Sequence, residues 1–216
     1  MIKTDSQLKE DIEQELRWDP TVNAAQIGVS VDQGVVSLLG AVDTYPQKWA
    51  AEDATKRVSG VRTVAEELTV KILADHIRTD SDIAAAIQNA FKWNVYIPET
   101  VTARVQQGVV TLQGQVSWNY QRESAERAVR YLTGVVSLVD AITLKPQATA
   151  SQVKEQVAAA LQRHAKADAK SIHVAASGSK VTLSGHASSW QAIKDATGAA
   201  WAAPGVTEVD DQLQIQ

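Results

Sequence analysis

Gly34-Val35-Val36-Ser37-Leu38-Leu39-Gly40 returns as Gly108-Val109-Val110-Thr111-Leu112-Gln113-Gly114, and again as Ser179-Lys180-Val181-Thr182-Leu183-Ser184-Gly185. A second marker follows each stretch: Gly60-Val61, Gly134-Val135 and Gly205-Val206. Both markers move by 74 residues from the first copy to the second and by 71 from the second to the third. Two separate landmarks that keep a common offset are the signature of an internal repeat. The 216 residues therefore read as three units, 1–74, 75–147 and 148–216.

Working outward from the quoted strand, each copy has the same order. A helix comes first, with apolar residues four apart: Leu8, Ile12, Leu16; Ile83, Ile87, Phe91; Val153, Val157, Leu161. That spacing makes one buried stripe. Asp5 or Ser6, Asp80 or Ser81, and Thr149 or Ser151 are expected to cap these helices, because their side-chain oxygens accept from free first-turn amides. Two alternating strands follow, joined at Gln33-Gly34, Gln107-Gly108 and Ser177-Gly178-Ser179. Gly40, Gly114 and Gly185 fall on the inward parity of the second strand, where the missing side chain is expected to let a helix approach or the strand bend. A second helix lined with small residues comes next, among them Ala51, Ala54, Ala125, Ala128, Ala196 and Ala199. Gly60, Gly134 and Gly205 stop it, and a short last strand closes the unit. The fold class is α+β: three tandem α-β-β-α-β units, each a small three-stranded mixed sheet with two helices on one face. Thr111, Gln113 and Gln115 should face away from those helices.

This order resembles the BON domain (bacterial OsmY and nodulation), on the three V-x-L-x-G stretches and the three Gly-Val steps. The resemblance spans nearly the whole chain. It departs from the family pattern at the start of the last strand, where the family often has Asn and this chain has Glu66, Asp140 and Asp211. The resemblance implies a non-enzymatic protein of osmotic and envelope stress that binds phospholipid surfaces or assists other proteins. One branch of the family, joined to a LysM domain, is linked to potassium; no LysM pattern occurs here, and a potassium-sensing module is the further alternative that the resemblance implies.

Composition narrows the function further. The net charge is −4, hydrophobic residues make up 44%, and there is no cysteine. A disordered acidic tail, a disulfide framework and a thiolate metal site are all excluded. Nucleic acid is not an expected partner, because there is no basic stripe and no G-x-x-G loop. Met1 to Ser6 lacks the apolar core of an export signal. The chain as written is thus expected in the cytoplasm, and in the periplasm if it has been trimmed. His76, His164, His173 and His186 show no metal-ligand spacing, and no nucleophile–base motif is present, so neither catalysis nor a cofactor is expected. Asp80-Ser81-Asp82 stands where a helix cap is needed rather than a metal pair.

Charge divides unevenly, −5 in residues 1–75, +1 in 76–147 and zero in 148–216. The middle copy is therefore the one most tolerant of an anionic surface. The candidate lipid-binding residues are Trp93, Trp118, Tyr120, Arg122, Arg127 and Arg130, amphipathic aromatics beside arginines that suit a headgroup boundary. The competing reading makes Arg122–Glu126, Glu123–Arg127 and Glu126–Arg130 helix-surface ion pairs. The six tryptophans do not occupy equivalent repeat positions, so packing between copies is expected for most of them. The partners expected are an anionic phospholipid surface or, alternatively, a protein partner or second copy meeting the unpaired sheet edges.

Overall fold

The structure is a computed structural model and describes residues 3–145, 150–164 and 171–215. Two compact units form. One holds Met1–Phe91, Ala103–Thr111 and Arg127–Val139; the other holds Lys92–Thr102, Leu112–Glu126 and Asp140–Gln216. Each thus contains one end repeat and part of the middle one.

The first repeat runs α1 (Asp5–Trp18), β1 (Ile27–Asp32), β2 (Val35–Val42), α2 (Tyr45–Arg57) and β3 (Thr63–Val70). The second runs α3 (Asp80–Lys92), β4 (Thr102–Gln106), β5 (Val109–Val116), α4 (Asn119–Arg130) and β6 (Ser137–Leu144). The third runs α5 (Ala150–His164), β7 (Ile172–Ser177), β8 (Lys180–Ala187), α6 (Trp190–Trp201) and β9 (Glu208–Ile215). The sheets have the orders β1-β2-β3, β4-β5-β6 and β7-β8-β9. The hairpin pair is antiparallel and the last pair parallel, as in Val29↔Leu38 and Leu38↔Glu66. The third repeat keeps the same register, Val174↔Leu183 and Leu183↔Asp211.

One face of each sheet carries the core. Leu8, Ile12 and Leu16 of α1 are buried with Val36, Leu38, Val42, Ala51, Ala54 and Leu68. Val153 and Val157 pack with Val181, Leu183, Ala196 and Ala200 in the third repeat. The side chain of Leu161 lies outside the described residues. On β5, Val110, Leu112 and Val116 are buried while Gln113 and Gln115 are exposed and Thr111 is half-buried. The buried hydroxyl of Thr55 donates to the Ala51 carbonyl at 2.8 Å, so the tight helix seat leaves it bonded.

The helix caps fall one residue earlier than expected. Thr4 caps α1 in a reciprocal box with Gln7. Thr79 and Asp82 form the same kind of box at α3. Asp5 and Asp80 do a longer-range job. The Asp5 carboxylate accepts from the amides of Gln33 and Gly34 at 2.9 and 3.3 Å. That of Asp80 accepts from Gln107 and Gly108 at 2.8 and 2.9 Å. All four turn residues have positive φ, as a type I′ hairpin requires. The third repeat has Ala150 at that register and builds its turn on Gly178 instead, φ +61°. Thr149 lies outside the described residues, and Ser151 stands inside α5.

The glycine of the quoted strand also answers to a different neighbour than expected. A Cβ on Gly40, Gly114 or Gly185 would lie 2.1, 2.2 or 2.0 Å from the carbonyl oxygen of Gln26, Thr100 or Ser171. The chain entering the first strand of the hairpin, not a helix, fills the space. Each of these glycines also has φ between +115° and +136°, so both sterics and conformation exclude a side chain.

Candidate functional site

Four of the six candidates separate into two groups. Arg122 and Arg130 are held by partners inside the molecule. The Arg130 guanidinium lies over the Trp49 ring, 4.2 Å from its centroid. The Arg122 guanidinium lies 4.5 Å from the centroid of Trp201. Arg122 also pairs with Asp140 at 3.5 Å. All four side chains are half-buried, and cation–π attraction gains strength as water is removed. Trp49 belongs to the first repeat and Trp201 to the third, so these two tryptophans join neighbouring copies. Trp118 is half-buried just before α4, and Arg127 is exposed on it.

The aromatic candidates Trp93 and Tyr120 belong to an exposed cluster that sequence reading only half found. Trp93 is 84% exposed, Val95 93%, Tyr96 59% and Tyr120 50%. The cause is local. The Asn94 side chain accepts from the Tyr96 amide at 3.0 Å, and the Ile97 amide bonds the Asn94 carbonyl at 3.1 Å. This Asx turn throws Val95 and Tyr96 outward and drops Ile97 into the core. Tyr96 and Tyr120 then meet edge to face, centroids 5.8 Å apart at 89°.

The first repeat has the same turn with a different tip. Trp18 is equally exposed. Asp19 accepts from the Thr21 amide at 3.0 Å and hydroxyl at 2.6 Å, and Val22 is buried where Ile97 is. The Thr21 hydroxyl, with the Arg57 guanidinium 2.9 Å away, holds the Asp19 carboxyl below the usual carboxylate range despite its partial burial. Asn94 removes that charge in the second repeat, and Val95-Tyr96 replace Pro20-Thr21. The signal for Val95 and Tyr96 lay in aligning these two turns.

Among the described residues no group of three or more His, Asp or Glu is placed to hold a metal. His173 and His186 are exposed on the third sheet. An open cleft of about 410 Å³ in the first repeat is lined by Leu16, Val22, Ile27 and Val29 with Glu13 and Arg17. A second, of about 420 Å³, lies between α5 and α6 and is lined largely by alanine. Neither sets a nucleophile against a base. No helix among the described residues is long and apolar enough to cross a membrane.

Fold and surface together define a tandem array of small α+β domains that present turns and helix faces to solvent. The chain belongs to the BON domain family, whose pattern matches residues 4–72, 79–146 and 149–216. It is similar to Osmotically-inducible protein Y of Escherichia coli (strain K12), 29% identical over 132 residues. That match covers 57% of this chain and 64% of that protein, so the chain spans less than two thirds of the relative's length. Among solved structures, CdsD, a structural protein of the type III secretion system of Chlamydia trachomatis, aligns at 15% identity with a TM-score of 0.27, over 96% of this chain and 91% of that one. The CdsD C-terminal domain aligns at 14% identity and 0.27, over 99% and 100%. Likeness of that size carries no argument.

Proposed function

We propose that the protein is a non-enzymatic module of osmotic-stress adaptation that docks on anionic phospholipid surfaces through the turn after α3. One observation carries the reading: Trp93, Val95, Tyr96 and Tyr120 stand together in solvent. Tryptophan and tyrosine combine an apolar body with a polar tip and settle at the boundary between headgroups and acyl chains. Val95, the most exposed of the four, gives that boundary a purely apolar contact. Lys92 beside the cluster supplies a cation for the headgroups. With Arg122 and Arg130 engaged on tryptophans, the attraction is mainly apolar, and its salt dependence is shallow. The osmotic role rests on the likeness to Osmotically-inducible protein Y.

The test is co-sedimentation with vesicles of phosphatidylglycerol and phosphatidylethanolamine. The parent chain is expected to pellet with vesicles, more at low salt than at high. The variant Trp93→Ser, Val95→Ser, Tyr96→Ser is expected to stay in the supernatant. No binding at low salt to any composition would overturn the reading, as would equal binding by the variant. A concentration-dependent association of the parent that the same substitutions abolish would assign the cluster to a second copy instead.

A further inference from the structure

In the last strand of every repeat, a carboxylate bonds the strand's own backbone two residues further on. Glu66 Oε1 accepts from the Leu68 amide at 2.6 Å. Asp140 Oδ1 accepts from the Ile142 amide at 2.9 Å, and Asp211 Oδ1 from the Leu213 amide at 3.0 Å. The three positions correspond, since they are 74 and 71 residues apart.

These amides face the open side of the sheet. β3 lies at an edge, with β2 as its neighbour. The Lys71 amide bonds the Val42 carbonyl of β2 at 2.8 Å, so odd-numbered residues of β3 point toward β2 and Leu68 points away. The Lys145 amide on the Val116 carbonyl fixes the same alternation in the second copy, and the pairing Gly185↔Leu213, which matches Gly40↔Leu68, carries it to the third. In the first repeat the edge carbonyl is covered as well. Lys48 Nζ donates to the Leu68 oxygen at 2.8 Å and pairs with Glu66 at 2.9 Å. Arg122 stands at the Lys48 register in the second repeat and pairs with Asp140. Ile193 occupies that register in the third.

We infer that Glu66, Asp140 and Asp211 close the free edges of the three sheets against pairing with a second copy of the chain. An unpaired edge is a template for another strand. An acceptor from the same strand uses up the donor that such a strand would need. Asparagine at these positions supplies the acceptor without the charge.

Sedimentation velocity over a concentration series tests this on the full chain. Glu66→Val, Asp140→Val and Asp211→Val together remove acceptor and charge. The sedimenting mass of this variant is expected to exceed that of the parent and to rise with concentration. Glu66→Gln, Asp140→Asn and Asp211→Asn together are expected to sediment as the parent does. The inference is overturned if the valine variant keeps the parent's circular dichroism and sediments identically at every concentration. It is overturned equally if the amide variant associates as strongly as the valine one. Should the valine variant not fold, amide hydrogen exchange decides. The Ile142 amide is expected to exchange about tenfold faster in Asp140→Ala than in the parent or Asp140→Asn, the loss of one ordinary hydrogen bond. Full exposure of that amide in the parent would overturn the inference.

Discussion

Exchanging Trp49 and Arg130, as Trp49→Arg with Arg130→Trp, tests whether stacking joins the first two repeats. The two Arg–Trp contacts use the same last position of the later copy's helix, and neighbouring positions near the start of the earlier one, since Trp49 corresponds to Glu123 and Arg122 to Lys48. Each joins the first turns of the earlier copy's helix, at Trp49 of α2 or Arg122 of α4, to the last residue of the later copy's helix, Arg130 of α4 or Trp201 of α6. The order of cation and ring is reversed between them. The last position therefore already accepts Trp as well as Arg. With the guanidinium carbon 4.2 Å from the ring centroid and both side chains half-buried, the pair should contribute about 1–2 kcal/mol. Trp49→Arg alone sets two cations together, and Arg130→Trp alone leaves two rings. Each single variant should lose at least the pair energy, about 2–8 °C in melting temperature for a chain of this length. The exchanged double variant should recover most of that loss. Urea denaturation of parent, singles and double gives the coupling by a double-mutant cycle, which subtracts whatever else either residue bonds. High salt should leave it nearly intact, since the pair is partly shielded. A coupling within about 0.3 kcal/mol of zero would refute the reasoning.

Gly114→Ala puts a Cβ 2.2 Å from the Thr100 carbonyl oxygen and should cost more than about 3 kcal/mol by thermal denaturation. Gly178→Ala meets nothing within 4 Å at its φ of +61° and should cost only about 1 kcal/mol. Because bonding to Thr21 and Arg57 lowers the folded-state value of Asp19, its contribution is complete above the ordinary carboxylate range and disappears as pH falls through the depressed value. Asp19→Asn should therefore flatten the acid limb of a melting-temperature profile between pH 7 and pH 2. Arg57→Met separates Glu15, Asp19 and Asp53 from their shared cation. It should lower stability by about 1 kcal/mol, and added salt should shrink the difference.

Period and spacing made the architecture legible, because burial on one face imposes 3.6-residue and two-residue rhythms that chance does not repeat three times. The caps slipped by one residue for a physical reason. Thr4-Asp5 and Thr79-Asp80 are both good acceptor pairs, and only the distant turns at Gln33-Gly34 and Gln107-Gly108 decide which member caps the helix. Gly114 was marked as special by parity, but its neighbour Thr100 belongs to a chain segment that no local pattern locates. The Arg130–Trp49 and Arg122–Trp201 contacts cross between copies, so sequence could say that the tryptophans were unmatched but not what they meet. Val95-Tyr96-Ile97 reads as one apolar run. The Asx turn at Asn94 splits it, sending two residues out and one in.

The repeats differ most where the shared backbone asks least. At the position after α4's last residue and its counterparts the three copies carry Arg57, Tyr131 and Ala202. Arg57 binds three carboxylates in the first repeat, while Tyr131 is exposed. The turn after the first helix carries Asp19-Pro20-Thr21 in one copy and Asn94-Val95-Tyr96 in the next, with the same amide bonded and the same apolar residue buried behind it. The fold consequently places no demand on the chemistry of that tip. Two aromatics and a valine kept in water there add nothing to the core, and replacing them by serine should change stability by less than about 0.5 kcal/mol each. A vesicle-binding defect in the serine variant, at unchanged melting temperature, would then belong to the surface and not to a loosened fold.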